Sequence, residues 1–318
     1  MTNPLEKTEI EIKVMPYSMM VGQEDLKLAL ELAFIAPKIG GVLLSGDRGT
    51  GKSTLVRAFG AMANQKQPIT LPINATEDRV VGGWDMQKIL TDNTLERKDG
   101  LLEQANKSIL YIDEVNLLDD RIVNIILDVS STGILTVEQE GQDEKNKQID
   151  FCLVGTMNPS EGGLRPQLLD RFGLMVEVVT ERDEATRSQI LKNVLLYESE
   201  RFGGSKPVSN SAREEDRQIA SKLLKARELF KSQVVDDKLA SVCAKVAQAF
   251  DTEGHRADYI MALAAMAHAS LMSRKSPTAA DVLRVARFAL QHRQRGGSLT
   301  WNEERVLKVK EELKISTT

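Results

Sequence analysis

Apolar positions along the chain follow two different periods. Between residues 41 and 179 they gather in short runs rich in Val, Ile and Leu, at 41–45, 68–73, 108–113, 151–157 and 174–179, separated by longer stretches of mixed polarity. Runs of strand length that alternate with helical segments predict parallel strands covered on both faces, an α/β fold. After residue 181 the period becomes helical over 184–197, 212–230, 236–250, 256–272 and 278–291, and no further strand is predicted. Residues 201–210, with Gly203, Gly204, Ser205, Pro207, Ser209 and Asn210, have the composition of a loop. Gly254, Ser276-Pro277 and Gly296-Gly297 punctuate the later helices, and a charged helix follows over 301–315. The predicted division is an α/β domain over 1–181 and a helical linker with a helical domain over 182–318.

Composition narrows the classes of function. The 318 residues, 42% hydrophobic and 28% charged, are those of an ordinary globular protein of about two domains. With 42 Lys and Arg against 46 Asp and Glu, the net charge of −4 carries no footprint for duplex nucleic acid or an anionic membrane. Cys152 and Cys243 have neither CxxC nor Cys/His ligand spacing, which argues against a structural metal or a disulfide framework. His255, His268 and His292 are not spaced as ligands and read as caps or satisfied helix residues. The first 14 residues carry charges and no apolar signal core, and the apolar stretch 259–272 is too short to span a bilayer. The expected location is the cytoplasm.

The candidate chemistry lies at the ends of the apolar runs. The first run enters Gly46-Asp47-Arg48-Gly49-Thr50-Gly51-Lys52-Ser53, followed by Thr54, a G-x-x-x-x-G-K-[ST] phosphate loop. Its glycines let backbone N–H groups and a helix N-terminus face one phosphate, with Lys52 reaching the β/γ-phosphates and Ser53 binding Mg²⁺. Residues 109–112 end in Asp113-Glu114: the first carboxylate suits Mg²⁺ and the second an attacking water. A strand end with two solvated acids is the bland alternative. The run at 151–157 ends in Asn158-Pro159, which places an amide beside the other strand ends or is a simple Asn-Pro turn.

Together these motifs resemble the AAA+ class of motor ATPases. More narrowly, Val21-Gly22-Gln23, Gly41-Val42-Leu43-Leu44-Ser45-Gly46, Ala75-Thr76-Glu77-Asp78-Arg79-Val80-Val81-Gly82, Asp113-Glu114-Val115-Asn116-Leu117-Leu118-Asp119-Asp120 and Gly155-Thr156-Met157-Asn158-Pro159 are similar to the ATPase subunit I of magnesium chelatase. So is Leu164-Arg165-Pro166-Gln167-Leu168-Leu169-Asp170-Arg171-Phe172-Gly173-Leu174. The resemblance implies a P-loop fold with five parallel strands in the order 5-1-4-3-2 and a helical lid. It makes Arg171 an arginine finger supplied to the neighbouring subunit; the competing reading is an ion pair with Asp170 or a nearby acid. Arg165 is a weaker interface candidate. Gly254-His255-Arg256-Ala257-Asp258 is similar to the sensor-2 motif, with Arg256 on the nucleotide, although His255 stands where an apolar residue is usual. The insert at 131–141, with alternation at Ile134, Leu135 and Val137, is expected to be a small hairpin facing a ring pore, or else a solvated loop with Glu138, Glu140, Asp143 and Glu144. Trp84, in Gly82-Gly83-Trp84-Asp85, is a departure from the family pattern. Arg284, Arg287, Arg293 and Arg295 read as completing a helix dipole.

The function so implied is ATP hydrolysis with Mg²⁺ by a homo-oligomeric ring, a hexamer by resemblance. Such a ring drives metal insertion into a tetrapyrrole held on a separate large subunit, with an adaptor subunit that carries an integrin-like domain. Two alternatives stay open: a remodelling chaperone that works with such an adaptor, and a DNA motor, against which the net charge counts.

Overall fold

The computed structural model describes residues 14–84, 86–92, 94, 96–139, 142–201, 209–294 and 301–312. Asp85, Glu140, Gly141, the loop 202–208, Arg295 and Gly296-Gly297, all invoked above, lie outside them, as do residues 1–13.

The chain opens with helix α1 (Glu24–Ile35), then strand β1 (Val42–Ser45) and helix α2 (Lys52–Asn64), followed by β2 (Ile69–Leu71). Next come α3 (Glu77–Val81), β3 (Gly82–Trp84), α4 (Met86–Asp92), β4 (Arg97–Asp99), α5 (Leu101–Gln104) and β5 (Ile109–Ile112). Helix α6 (Asp120–Thr132) leads into the hairpin β6 (Ile134–Gln139) and β7 (Gln142–Gln148), then β8 (Cys152–Met157), α7 (Pro166–Arg171) and β9 (Leu174–Glu177). The rest is helical: α8 (Glu184–Arg201), α9 (Ser209–Lys231), α10 (Asp237–Ala249), α11 (Arg256–Leu271), α12 (Ala279–Leu290) and α13 (Glu303–Glu312).

All five apolar runs become strands of one parallel sheet in the order β2-β5-β8-β1-β9. Counting only these five strands, this is the 5-1-4-3-2 order expected from the resemblance. The physical reason is burial on both faces. Along β1, Val42 and Leu44 join an apolar cluster that includes α1 and α2, whereas Leu43 joins the opposite cluster with α6. The first cluster runs on without a break into α9, α10, α11 and α12, through Leu223, Val246, Phe250, Met261, Val285 and Phe288. Trp301 ties α13 on by stacking against Phe250 with ring centroids 4.3 Å apart.

The hairpin expected from Ile134, Leu135 and Val137 is present as β6–β7, with Leu135 and Val137 buried and Ile134 outward. A second antiparallel hairpin, β3–β4, pairs Trp84 with Arg97 and has no counterpart in the sequence reading. Helix α1 was also illegible there. Among the described residues after 181 there is only an isolated bridge between Thr252 and Gln294, so the helical reading of that region holds. No described helix is long and apolar enough to cross a membrane.

Candidate nucleotide site

The phosphate loop links β1 to α2 at the carboxyl end of the sheet. Gly46 is required by proximity, because a Cβ there would stand 2.1 Å from the carbonyl oxygen of Val178. Gly51 caps α2 at φ +83°, a left-handed conformation that glycine adopts at no steric cost. Lys52 Nζ donates to the carbonyls of Gly46 and Asp47, each at 2.6 Å, so the ammonium bridges the loop's own backbone. Burial lowers the Lys52 pKa from its ordinary value, opposed by the charges of Asp113, Asp47 and Glu114. The ammonium lies against the glycine-rich loop that the motif predicts to cradle phosphates.

Asp113 follows β5 directly, and its Oδ1 gathers hydroxyls. Thr156 Oγ1 donates to it at 2.7 Å, the Tyr111 hydroxyl lies at 2.8 Å, and Ser53 Oγ is 3.5 Å away. Burial pushes the Tyr111 phenol up to about 12, so it stays protonated and serves as a donor at neutral pH. Thr156 Oγ1 also accepts the Glu114 backbone N–H at 3.1 Å, which ties β8 to the turn after β5. Ser53 and Asp113 form a hard oxygen donor set beside Lys52. That set fits Mg²⁺, which takes few protein ligands and completes its shell with phosphate and water. Among the described residues no group of three or more His, Cys, Asp or Glu could hold a metal by protein ligands alone.

Glu114 sits at φ +55°, an uncommon conformation for a residue with a side chain, and turns its carboxylate to within 3.8 Å of the Arg48 guanidinium. Asn158 is buried, and its hydrogen bonds fix the orientation of its amide. Oδ1 accepts from Ser160 N at 3.2 Å and from Ser160 Oγ at 2.9 Å, while Nδ2 donates to Glu161 Oε1 at 2.9 Å. The carbonyl is thereby spent on the turn, and only an N–H remains to face the cleft. Glu161 also takes an ion pair from Arg48 at 2.6 Å. Residues 48–54 with Asp113, Glu114 and Asn158 line a cleft of about 260 Å³.

Arg171 and Arg256 lie outside this cleft. Arg171 ends α7 and forms an ion pair with Asp128 of α6, the nearby-acid contact of the competing reading, while Asp170 is engaged by Arg293. Arg256 Nη2 donates to the Arg171 carbonyl at 2.9 Å, and its Nε is buried without a partner. Arg165 pairs with Asp120. Of the arginines read as completing a helix dipole, Arg287 stands in the last turn of α12 and Arg293 Nη1 donates to the Ala289 carbonyl of that helix. Arg284, Arg287 and Arg293 also reach the α/β part. Arg284 pairs with Asp25, Arg287 approaches Glu177 at 3.6 Å and Arg293 is buried beside Asp170. Tertiary contacts add to the local reading because each of these three finds a carboxylate within reach. His268 contacts Asp281 at 2.6 Å, as a satisfied helix residue should. Tyr111, Thr156 and Glu161 were missed in the sequence. Tyr111 and Thr156 precede Asp113 and Asn158 by two residues, so the strand period places each pair on one face.

The AAA domain model of the dynein-related subfamily matches residues 41–172, and the AAA lid domain model matches residues 241–313. The magnesium-chelatase subunit ChlI of Olisthodiscus luteus is 38% identical over 91% of this chain and 93% of its own length. The chain belongs to the magnesium-chelatase subunit ChlI family. A second relative, the uncharacterized protein Rv2850c of Mycobacterium tuberculosis, is 40% identical over 89% of this chain, which spans 45% of that protein. Among solved structures, a chain from the complex of magnesium-chelatase subunits BchI and BchD is 37% identical and covers 89% of this chain and 96% of its own, with a TM-score of 0.50. The AAA match spans the phosphate loop, Asp113-Glu114 and Asn158, and the lid match falls on α10 to α13.

Proposed function

We propose that this chain hydrolyses ATP as a ring-forming motor and drives a magnesium-chelatase-type reaction, metal insertion into a tetrapyrrole held on another subunit. The observation that carries the proposal is the convergence of Lys52, Ser53, Asp113, Glu114 and Asn158 on one cleft at the ends of β1, β5 and β8. Mg²⁺, when bound, neutralises charge on the phosphate oxygens. Lys52 exchanges its contacts with the Gly46 and Asp47 carbonyls for phosphate oxygens, and the loop N–H groups hold the phosphate chain. Glu114 orients the attacking water and takes its proton. The free N–H of Asn158 donates to a transferring phosphate oxygen. Arg171 serves the cleft of an adjacent subunit, where such a group is worth about 10³–10⁵ in rate. Its absence from its own subunit's cleft supports action in trans.

By the same reading the assembly is a homo-oligomeric ring, a hexamer, joined by an adaptor with an integrin-like domain and a large tetrapyrrole-binding subunit. The Mycobacterium relative extends well beyond the matched part, and the alternative reading is a motor of this type coupled to a different partner for protein remodelling. Mg²⁺-dependent phosphate release and metal insertion, both with the adaptor and large subunit added, test the proposal. Wild type should release phosphate and support insertion, and Glu114→Gln should bind ATP but hydrolyse about 10²–10⁴-fold more slowly. Phosphate release without insertion would favour remodelling, and undiminished hydrolysis by Glu114→Gln would contradict the assigned site.

A further inference from the structure

The chain segment that carries Arg171 is held from the lid by an array of side chains. Five of its backbone carbonyls, those of Asp170, Arg171, Phe172, Gly173 and Met175, accept hydrogen bonds from Arg256 of α11 and from Gln291, His292 and Arg293 just after α12. Arg256 reaches the Arg171 carbonyl, Gln291 that of Met175, and His292 Nε2 that of Phe172 at 3.0 Å. Arg293 does most. Its Nη1 donates to Gly173 at 2.9 Å and to Ala289 at 2.6 Å, its Nη2 to Asp170 at 2.6 Å and Phe172 at 2.5 Å, and its Nε to the Asp170 carboxylate at 2.9 Å. All five N–H donors of a guanidinium are therefore used, a set that the three donors of a lysine cannot reproduce.

The grip is tight. The Arg293 side chain is 1% exposed, so each donor and each carbonyl would be costly to leave unpaired. The segment also presses on the turn Pro37–Ile39, where a Cβ at Gly173 would stand 1.9 Å from the Ile39 carbonyl oxygen. The backbone at Arg171 is held by contacts with that turn and with the lid, while its side chain remains partly exposed at the molecular surface.

We propose that Arg293 is a positioning residue for the arginine finger: it locks the backbone that carries Arg171 to the lid, so lid placement sets where the finger of the same subunit points. The inference rests on Arg171 acting in trans, and subunit mixing separates the two claims. An Arg293→Gln subunit keeps its own cleft but offers a misplaced finger to its neighbour. Alone it should bind ATP as tightly as wild type and hydrolyse it about 10²-fold more slowly, the scale of loss a small misplacement of a catalytic group produces. Mixed with Glu114→Gln subunits, whose fingers are intact, it should recover activity to the level of an Arg171→Ala and Glu114→Gln mixture. Asp170→Asn, which keeps the interior filled and removes only a partly exposed charge, should show a smaller loss with the same recovery and serves if Arg293→Gln does not fold. Wild-type hydrolysis by these variants overturns the proposal. So does loss without recovery while the Arg171→Ala mixture recovers. If the Arg171→Ala mixture also fails to recover, the trans-acting finger and this inference fall together, and ATP binding still reports separately on the cleft.

Discussion

Asn158 illustrates what single residues decide in this cleft. Its carbonyl is committed to Ser160 and one N–H to Glu161, so what it offers a nucleotide is a donor, never an acceptor. Asn158→Asp replaces that donor with a carboxylate beside Glu161 and the phosphates. The expected result in steady-state kinetics is a fall in kcat of about 10²-fold, the scale of one lost charge-stabilising donor, with a smaller rise in KM. Lys52 sets the alkaline limit. Burial lowers its pKa below the ordinary lysine value of 10.5, so the charge that holds phosphate is lost at a lower pH than in a free lysine. ATP affinity measured against pH should weaken before 10.5 is reached, and Lys52→Ala should remove both the affinity and that pH dependence. Much of this was legible in sequence, because the phosphate loop and Asp113-Glu114 are local patterns. Tyr111 and Thr156 were not, since their roles arise only when β5 and β8 lie side by side, nor was Glu161, which meets Arg48 only because β1 also pairs with β8.

Among the elements, α12 shows how the helical part is anchored. Thr278 and Asp281 form its capping box, and the buried Asp281 carboxylate also receives Arg274 and His268. Burial alone would raise its pKa, but the bonds from His268, Arg274 and Thr278 outweigh it and hold the carboxyl well below the usual range. A depressed carboxyl contributes stability that is complete above the unfolded pKa and is lost as pH falls through the folded one. Asp281→Ala should therefore cost about 3–5 kcal/mol at neutral pH in denaturant unfolding, and the penalty should shrink in acid. The five strands were readable because both faces are apolar. The β3–β4 hairpin was not, since Gly82, Gly83, Arg97, Lys98 and Asp99 show no alternation; Arg97 instead anchors β4 to α5 through Glu103 and to the end of α3 through the Val81 carbonyl. Helix α1 escaped because it is buried nearly all round, from Leu26 and Leu28 to Leu32 and Ile35, which erases a 3.6-residue stripe.

At the scale of the molecule, the helical region and the sheet share one apolar cluster, and ion pairs such as Arg284–Asp25 cross between them. Unfolding should then be a single cooperative transition. A chain cut after residue 181 should expose the α1 and α2 surface that α9 and α11 cover, and should aggregate or bind a hydrophobic dye; a soluble, cooperatively folding 1–181 fragment would contradict the shared core. The same architecture ties the Arg171 backbone to the lid and leaves Arg171 outside its own subunit's cleft, as the proposed role in trans requires. Hydrolysis should depend on assembly for that reason. The most direct test is the ATPase rate per subunit against protein concentration, for wild type and Arg171→Ala. A wild-type rate that climbs as subunits assemble, with Arg171→Ala flat and low at every concentration while still binding ATP, is the predicted result. A rate per subunit independent of concentration, or undiminished in Arg171→Ala, would contradict a site completed by the neighbouring subunit.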